Sequence, residues 1–386
     1  MARKNGSTYE GFFVVEAVPT AEIRMEFRHE IIDPDPPAGE LDVCLPVDLT
    51  GNGRDDVIVG GKDPEVFWYE NHEDGWERHH LATGPVADDE RFLEAGGVLV
   101  DVTGNERMDV VVGQPAGGGP RAFWFEQPED PREEWDIHLL TDRYHKYHDQ
   151  AVGDLDGDGE DEILFSSQVS EVLFYVDIPA DPFQEPWPET CFHTIATGLE
   201  VEGLQVVDID GDGHQEAIAG PNVFHRQADG RWEREQLSDD WDLTRVQVAD
   251  IDDDGELEVL LAEGESPAPH LPATEPGRVG YLDPPQWTPV ILRAGLYCPH
   301  SFELADFTDD GRLDIYVGEM GLGEHDSPRH FVFEHRGNGE FEEHLIARDL
   351  PTHEGKVANL GGDGRHDIVV KPYAPERRVD ALIRVE

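Results

Sequence analysis

Apolar runs of four or five residues, dominated by valine, isoleucine, leucine and phenylalanine, return at regular intervals along this chain and lack the 3.6-residue period of a helix. One set (LQVVD, VQVAD, FELAD) ends on an aspartate, and a second (DVIVG, DVVVG, EILFS, DIYVG, DIVVK) begins a few residues later on an acid. Short runs rich in β-branched residues predict strands, here paired through a polar hairpin. Roughly ten residues further on comes an aromatic-rich run (EVFWYEN, RAFWFEQ, EVLFYVD, RHFVFEH), followed by a fourth of mixed polarity (GWERHHLAT, EWDIHLLTD, TCFHTIATG, EFEEHLIA). The repeating unit is therefore four strands.

The hairpins keep the period. Their first residues stand at 48, 101, 154, 208, 250, 306 and 359, steps of 53, 53, 54, 42, 56 and 53. A period near 50 marks one supersecondary unit repeated as a stack or ring. Seven units of four strands predict an all-β, seven-bladed β-propeller with four antiparallel strands per blade, spanning 1–386 as one domain. The last repeat ends after its third strand, VDALIRV, whereas MEFRHEII at 25–32 carries the fourth-strand pattern. There His29 lies two before Ile31, as His79 precedes Leu81, His138 Leu140, His193 Ile195 and His344 Ile346. Residues 24–32 are expected to close the last blade, with 1–23 as an N-terminal extension. The five histidines read as a structural repeat feature.

Inside the hairpins, carboxylates alternate at positions 1, 3, 5 and 9 around a glycine at position 6, the spacing of an EF-hand-type calcium loop. The third, fourth and fifth copies each offer four acids: Asp154, Asp156, Asp158 and Glu162; Asp208, Asp210, Asp212 and Glu216; Asp250, Asp252, Asp254 and Glu258. The sixth (Asp306, Thr308, Asp310, Asp314) and the first (Asp48, Thr50, Asn52, Asp56) offer fewer charges but keep Gly311 and Gly53 at the turn. In the second, Glu106 replaces the turn glycine, and in the seventh Asn359 and Gly361 replace two ligands; both read as metal-free hairpins. Structural Ca2+ is thus the expected cofactor, at several sites.

Composition adds a setting. The formal net charge is −56, from 85 acids against 29 Lys plus Arg, and only five of the latter are lysines. Acids spread over every repeat between apolar strands exclude a disordered acidic tail. Self-repulsion at this density is relieved by molar salt, where the Debye length is about 3 Å, so the chain reads as a protein of a halophilic, haloarchaeal-type organism. Nucleic acid and anionic membranes are excluded as direct partners. No apolar stretch of signal length precedes Glu16, and the expected location is the cytoplasm, or outside the cell if a leader was removed. Cys44, Cys191 and Cys298 fall in different repeats and read as unpaired thiols. Two long linkers, 181–189 and 263–278, are expected to project from one face.

The end opposite the hairpins carries the candidate chemistry. Six residues before each hairpin stand Asp42, Ala95, His148, Glu202, Thr244, His300 and His353, and the second strands end at Lys62, Gln114, Gln168, Asn222, Glu263, Glu319 and Lys371, with Tyr373 two beyond. Polar residues that differ between blades, where the repeat is otherwise uniform, suggest a task at that mouth. His148, His300 and His353 are candidates for a general base or for ligands of a second divalent metal, with Lys371 and Tyr373 as donors. Gln168, Arg245, Glu263 and Glu319 are the expected substrate contacts.

The D-x-D-G-D-G hairpins resemble FG-GAP or VCBS repeats, the calcium-loop blades of integrin-α-type propellers, from about residue 40 to the end. CPHSFELADFTDDGRLDIYVGEMG and PTHEGKVANLGGDGRHDIVVKPY are similar to the propeller domain of the aldos-2-ulose dehydratases. That resemblance implies a carbon–oxygen lyase, a sugar dehydratase or a polysaccharide-lyase type, acting on a keto-sugar or uronate. The alternative is a noncatalytic propeller that recognises a glycan or a protein partner, favoured by the absence of the companion cupin domains.

Overall fold

The computed structural model describes residues 13–14, 25–87, 90–266, 276–321, 327–372 and 376–385. Its strands form seven antiparallel sheets in sequence order. Blade 1 consists of Leu41–Val47, Asp56–Gly61, Glu65–His72 and Gly75–Thr83, and blade 3 of Tyr147–Gly153, Glu162–Ser167, Val172–Val176 and Phe192–Thr197. The other blades repeat the plan, with inner strands at Val98–Val100, Leu204–Val207, Arg245–Ala249, Ser301–Ala305 and Glu354–Ala358. This is a seven-bladed β-propeller. A fifth strand, Phe13–Val14, lies parallel to the outer edge of blade 5 against Val290 and Ile291.

Burial explains the sequence pattern strand by strand. Second strands are buried along their whole length, because each blade is covered on both faces by its neighbours, so they read as continuous apolar runs. Outer strands meet solvent over much of their length and bury only their last residues. The core is seven separate clusters, one in each gap between consecutive blades. Trp68, Phe92 and Phe125 fill the gap between blades 1 and 2; Trp124, Tyr147 and Phe165 fill the next. The gap between blades 7 and 1 holds Tyr69, Leu41, Val369 and Ala381, so the ring is sealed there as firmly as elsewhere.

The last blade closes as the histidine register predicts. Glu26–Asp33 pairs antiparallel with Val379–Val385, Glu26 opposite Val385 and His29 opposite Leu382. Asp33 then clamps the closed blade to blade 1: the Tyr69 hydroxyl donates to its carboxylate at 2.9 Å and Arg78 at 2.7 Å. At the hairpin end, hairpins 7 and 1 join through Asp55 N–H to the Asn359 carbonyl and Asn359 N–H to the Asp55 carboxylate. All five outer-strand histidines pair with an acid on the neighbouring strand: His79 with Glu70, His138 with Glu126, His193 with Asp177, His344 with Glu334 and His29 with Asp380. Three of them also stack on Trp68, Trp124 and Tyr175. These are structural ladders.

One local expectation changes. The 181–189 linker does not project: Trp187 is buried between blades 2 and 3, its N–H donating to the Leu140 carbonyl, and Glu185 accepts from the Leu139 N–H. Cys191 sits in a 3-10 turn just before the outer strand. All three cysteines are buried. Among the described residues no helix is long and apolar enough to cross a membrane.

Blade 6 buries one histidine for structure alone. His330 is 0 % exposed, between the Tyr316 hydroxyl at 2.8 Å and the Leu350 carbonyl at 2.6 Å, and burial pushes it down to about 4.

Candidate functional site: a buried histidine and carboxylate cluster on the axis

The three predicted histidines do come together, but not at a wet rim. His148, His300 and His353 are 3 %, 1 % and 4 % exposed. His148 of blade 3 meets His300 of blade 6 across the axis with ring centroids 6.0 Å apart, and His300 stacks on His353 of blade 7 at 4.5 Å. Two features bury them. The inner strand of blade 3 begins with a bulge, Tyr147 opposite Ser167 but Gln150 opposite Phe165, which lets the consecutive residues His148 and Asp149 both serve the cluster. The first residues of the insertion after blade 5's second strand lie against the cluster, and a Cβ on Gly264 would touch the His300 ring at 3.2 Å. Its neighbour Glu265 lies 3.7 Å from His300 Nε2. Residues 267–275 of that insertion fall outside the described residues, as does Tyr373.

Hydrogen bonds fix each ring. His148 donates Nδ1–H to Asp149 at 2.7 Å, and Asp149 also holds Arg245 at 2.8 Å and the Gly203 N–H at 3.0 Å. His148 Nε2 then faces Glu202 at 3.7 Å, and Gln168 donates to Glu202 at 2.7 Å. His300 donates Nδ1–H to the His353 carbonyl at 2.8 Å, which leaves Nε2 buried with no hydrogen-bond partner. Lys371 donates to His353 Nδ1 at 2.8 Å and to the Leu41 carbonyl at 2.7 Å. Asp42 lies 3.6 Å from His353 Nδ1.

Electrostatics divide the cluster. Burial works against charge on His148, but Glu202 and Asp149 hold it as imidazolium, pushed up to about 9. Burial and then the Arg245 charge push His300 well below its ordinary value. Burial and the adjacent Lys371 do the same to His353. Burial opposes ionisation of Asp149, yet Arg245 and His148 keep its carboxyl well below the carboxylate range. Burial raises Glu202 and Glu265, and lowers Lys371.

Against His300 lies a polar cavity of about 190 Å³, whose lining includes Asp149, Arg245, Glu354, Glu303 and Lys356. Lys356 donates to Glu303 at 2.6 Å, and Glu354 Oε1 is buried with no hydrogen-bond partner. Of the expected substrate contacts, Arg245 and Gln168 belong to this site. Glu263 and Glu319 do not: each is held by an arginine opening the neighbouring third strand, Arg278 at 3.4 Å and Arg329 at 2.5 Å. Gln114 and Arg121 make the same pairing in blade 2. Glu202, Asp149 and Glu354 belong to the site, and the strand-start positions beside the histidines carried that signal; Glu265, inside an irregular insertion, had none.

The hairpins at the other end are self-capped. The first carboxylate accepts the N–H of the residue five on, as Asp154 does from Gly159 at 3.0 Å, Asp208 from Gly213 at 2.9 Å and Asp250 from Gly255 at 3.1 Å. The ninth caps the second residue from below: Glu162 takes the Leu155 N–H, Glu216 that of Ile209 and Glu258 that of Ile251. Positions 3 and 5 each cap an N–H two residues on and keep the other oxygen exposed, as in Asp156 and Asp158. Burial and the surrounding aspartates push Glu162 up to about 7 and Glu258 to about 8, and Glu258 Oε1 has no hydrogen-bond partner. This donor set suits a hard cation with oxygen ligands. In the sixth hairpin Arg312 donates to Asp310 at 2.6 Å, so a guanidinium already sits against one of the expected ligands. Glu106 occupies its turn position at φ 66°, in the left-handed region.

No family model matches the chain, and no curated protein matches it in sequence. Among solved structures it is similar to BBS1N in complex with ARL6DN. The mercury-soaked crystal gives a TM-score of 0.58 at 8 % identity, covering 94 % of this chain and 98 % of that one. The lead-soaked crystal gives 0.55 at 10 % identity with the same coverage. At such identity the likeness establishes the propeller fold alone.

Proposed function

We propose that this propeller, a calcium-loop propeller of the FG-GAP/VCBS kind adapted to high salt, is a carbon–oxygen lyase acting on a keto-sugar or uronate in the axial cavity. One observation carries the reading. In a chain of net charge −56, the partly buried cations Arg245 and Lys356 line a polar cavity of about 190 Å³ beside the histidines, where an anionic sugar would be drawn and its carboxylate or enolate neutralised. The proton next to the carbonyl or carboxylate passes to a base, its electron pair forms the carbon–carbon double bond, and the neighbouring carbon–oxygen bond breaks. Glu354, which lines the cavity and carries a bare buried oxygen, is the base, and the proton it takes up is handed on to the leaving oxygen.

The test is formation of unsaturated product, read by ultraviolet absorbance, from a panel of polyuronates and keto-sugars in molar KCl. Arg245→Met should raise KM at least tenfold, and Glu354→Gln should lower kcat by a factor of about 10² or more. A folded wild type that eliminates nothing from the panel removes the lyase reading. The recognition alternative, binding a glycan or a protein, would then stand; BBS1N, of the same fold, was crystallised with a protein.

A further inference from the structure

We infer that the axial cluster is a binding site for one divalent first-row transition-metal ion, Zn2+ in the first place, held by His148 Nε2, His300 Nε2 and Glu202. The ligand atoms of these three buried residues all lie within 4.8 Å of one another. Each contributes from a different blade, so the ring itself brings them together.

The argument rests on which atoms are occupied and which are not. A histidine that ligates metal through one nitrogen characteristically donates its other N–H to a carboxylate or a backbone carbonyl, which fixes the tautomer and turns the lone pair inward. Both rings are oriented in this way, His300 as a neutral imidazole and His148 as an imidazolium whose Nε2 proton, aimed at Glu202, the metal would displace. Asp149 takes the His148 Nδ1–H and the His353 carbonyl takes the His300 Nδ1–H, so the two Nε2 atoms point at the shared space. Gln168 steadies Glu202 through Oε1, while Glu202 Oε2 and His300 Nε2 are buried without hydrogen-bond partners. Leaving two such atoms bare in one buried spot is unfavourable unless something binds there.

Distances agree. A tetrahedral centre with bonds of about 2.0–2.1 Å holds its ligand atoms about 3.4 Å apart. His148 Nε2 stands 3.7 Å from Glu202 Oε1, the oxygen that Gln168 also holds, and the three ligand atoms lie within 4.8 Å of one another, so the side chains close in on the ion to complete the set. Two imidazoles and one carboxylate select a borderline first-row ion over Ca2+ or Mg2+, which prefer all-oxygen shells. Three protein ligands leave a fourth position. Glu265 approaches His300 Nε2 to 3.7 Å and is a further carboxylate within reach of the ion. His353 is not a ligand in this arrangement, because Lys371 occupies its Nδ1 and its carbonyl serves to orient His300.

The inference stands independently of the lyase reading, and the experiment separates them. The full chain in molar KCl is stripped with a chelator, loaded with Zn2+ and freed of excess, and its zinc is counted by plasma mass spectrometry. Wild type should retain one equivalent, and Co2+ loading should give the intense visible bands of a four-coordinate site. His148→Gln and His300→Gln should each lower the count by one, while His353→Gln, His79→Gln on an outer-strand ladder and Asp156→Ala in a hairpin should leave it unchanged. Because substitution at buried positions can impair folding, the wild-type Co2+ spectrum decides by itself, and near-ultraviolet dichroism screens each variant. No retained zinc and only weak six-coordinate cobalt bands in wild type overturn the site, as does a count unaltered in both folded His148→Gln and His300→Gln. Zinc retained without turnover on the sugar panel supports the site and removes only the lyase.

Discussion

Replacing Asp33 by alanine tests how the ring is held shut. Asp33 ends the strand that completes the last blade and is 8 % exposed. It accepts from the Tyr69 hydroxyl, which is 1 % exposed and kept protonated by burial and the Asp33 charge, and from Arg78. Removing the carboxylate leaves a buried phenol without a partner, at a cost of about 1–3 kcal/mol. The Arg78 pair, with that side chain 44 % exposed, adds only about 0–1 kcal/mol. Asp33→Ala should therefore destabilise the protein by about 2 kcal/mol. With an unfolding entropy of about 2.1 cal/mol/K per residue, this lowers Tm by roughly 2–3 °C. Asp33→Asn, which keeps an acceptor for Tyr69, should lose less than half of that, and Ile31→Ala on the exposed face of the same strand should change nothing measurable. The assay is thermal unfolding by circular dichroism at fixed high salt, with Tyr69→Phe completing a double-mutant cycle. A coupling below about 0.3 kcal/mol, or a Tm for Asp33→Ala equal to that of wild type, would refute the clamp.

The ring and its closure were legible because they are properties of the repeat. The hairpin period counts the blades, and His29 in register with four other outer-strand histidines places the closing strand within a residue or two of where it lies. The axial cluster was half legible. Counting back from the hairpins finds His148, His300 and His353, since the inner strand leads each of them to the same end of the ring. Their burial was not, because period-2 alternation assumes a regular strand, and the bulge before Gln150 breaks it where His148 and Asp149 must both face the cluster. An insertion has no register at all, so nothing in 263–278 announced that Gly264 and Glu265 fold onto His300. Glu263 and Glu319 lie apart from the cluster for a different reason. They share a position with Gln168 and Lys371, but in blades 2, 5 and 6 the third strand opens with arginine (Arg121, Arg278, Arg329), and that repeated partner marks a structural pair. The tryptophan in DPFQEPWPE was the overlooked sign that this linker packs inward.

Two further measurements probe the hairpins and the core. Asp156→Ala should lower bound calcium by about one equivalent after exhaustive dialysis, because it removes one of four carboxylates in the blade 3 hairpin; equal calcium in wild type and variant would make that hairpin a capped turn and no more. His330 predicts a pH dependence with a definite sign. Burial pushes it down to about 4, so between about pH 6.5 and 4 the unfolded chain binds a proton that the folded chain refuses, and stability falls as pH falls through that window. At pH 5 this amounts to about 2 kcal/mol relative to pH 7. His330→Gln keeps a group able to bond Tyr316 or the Leu350 carbonyl but cannot take up the proton. The variant should be less stable than wild type at pH 7 yet lose about 2 kcal/mol less on going to pH 5, measured by urea unfolding at constant salt. If both proteins lose the same amount, His330 is protonated in the folded state and is not held neutral by its burial.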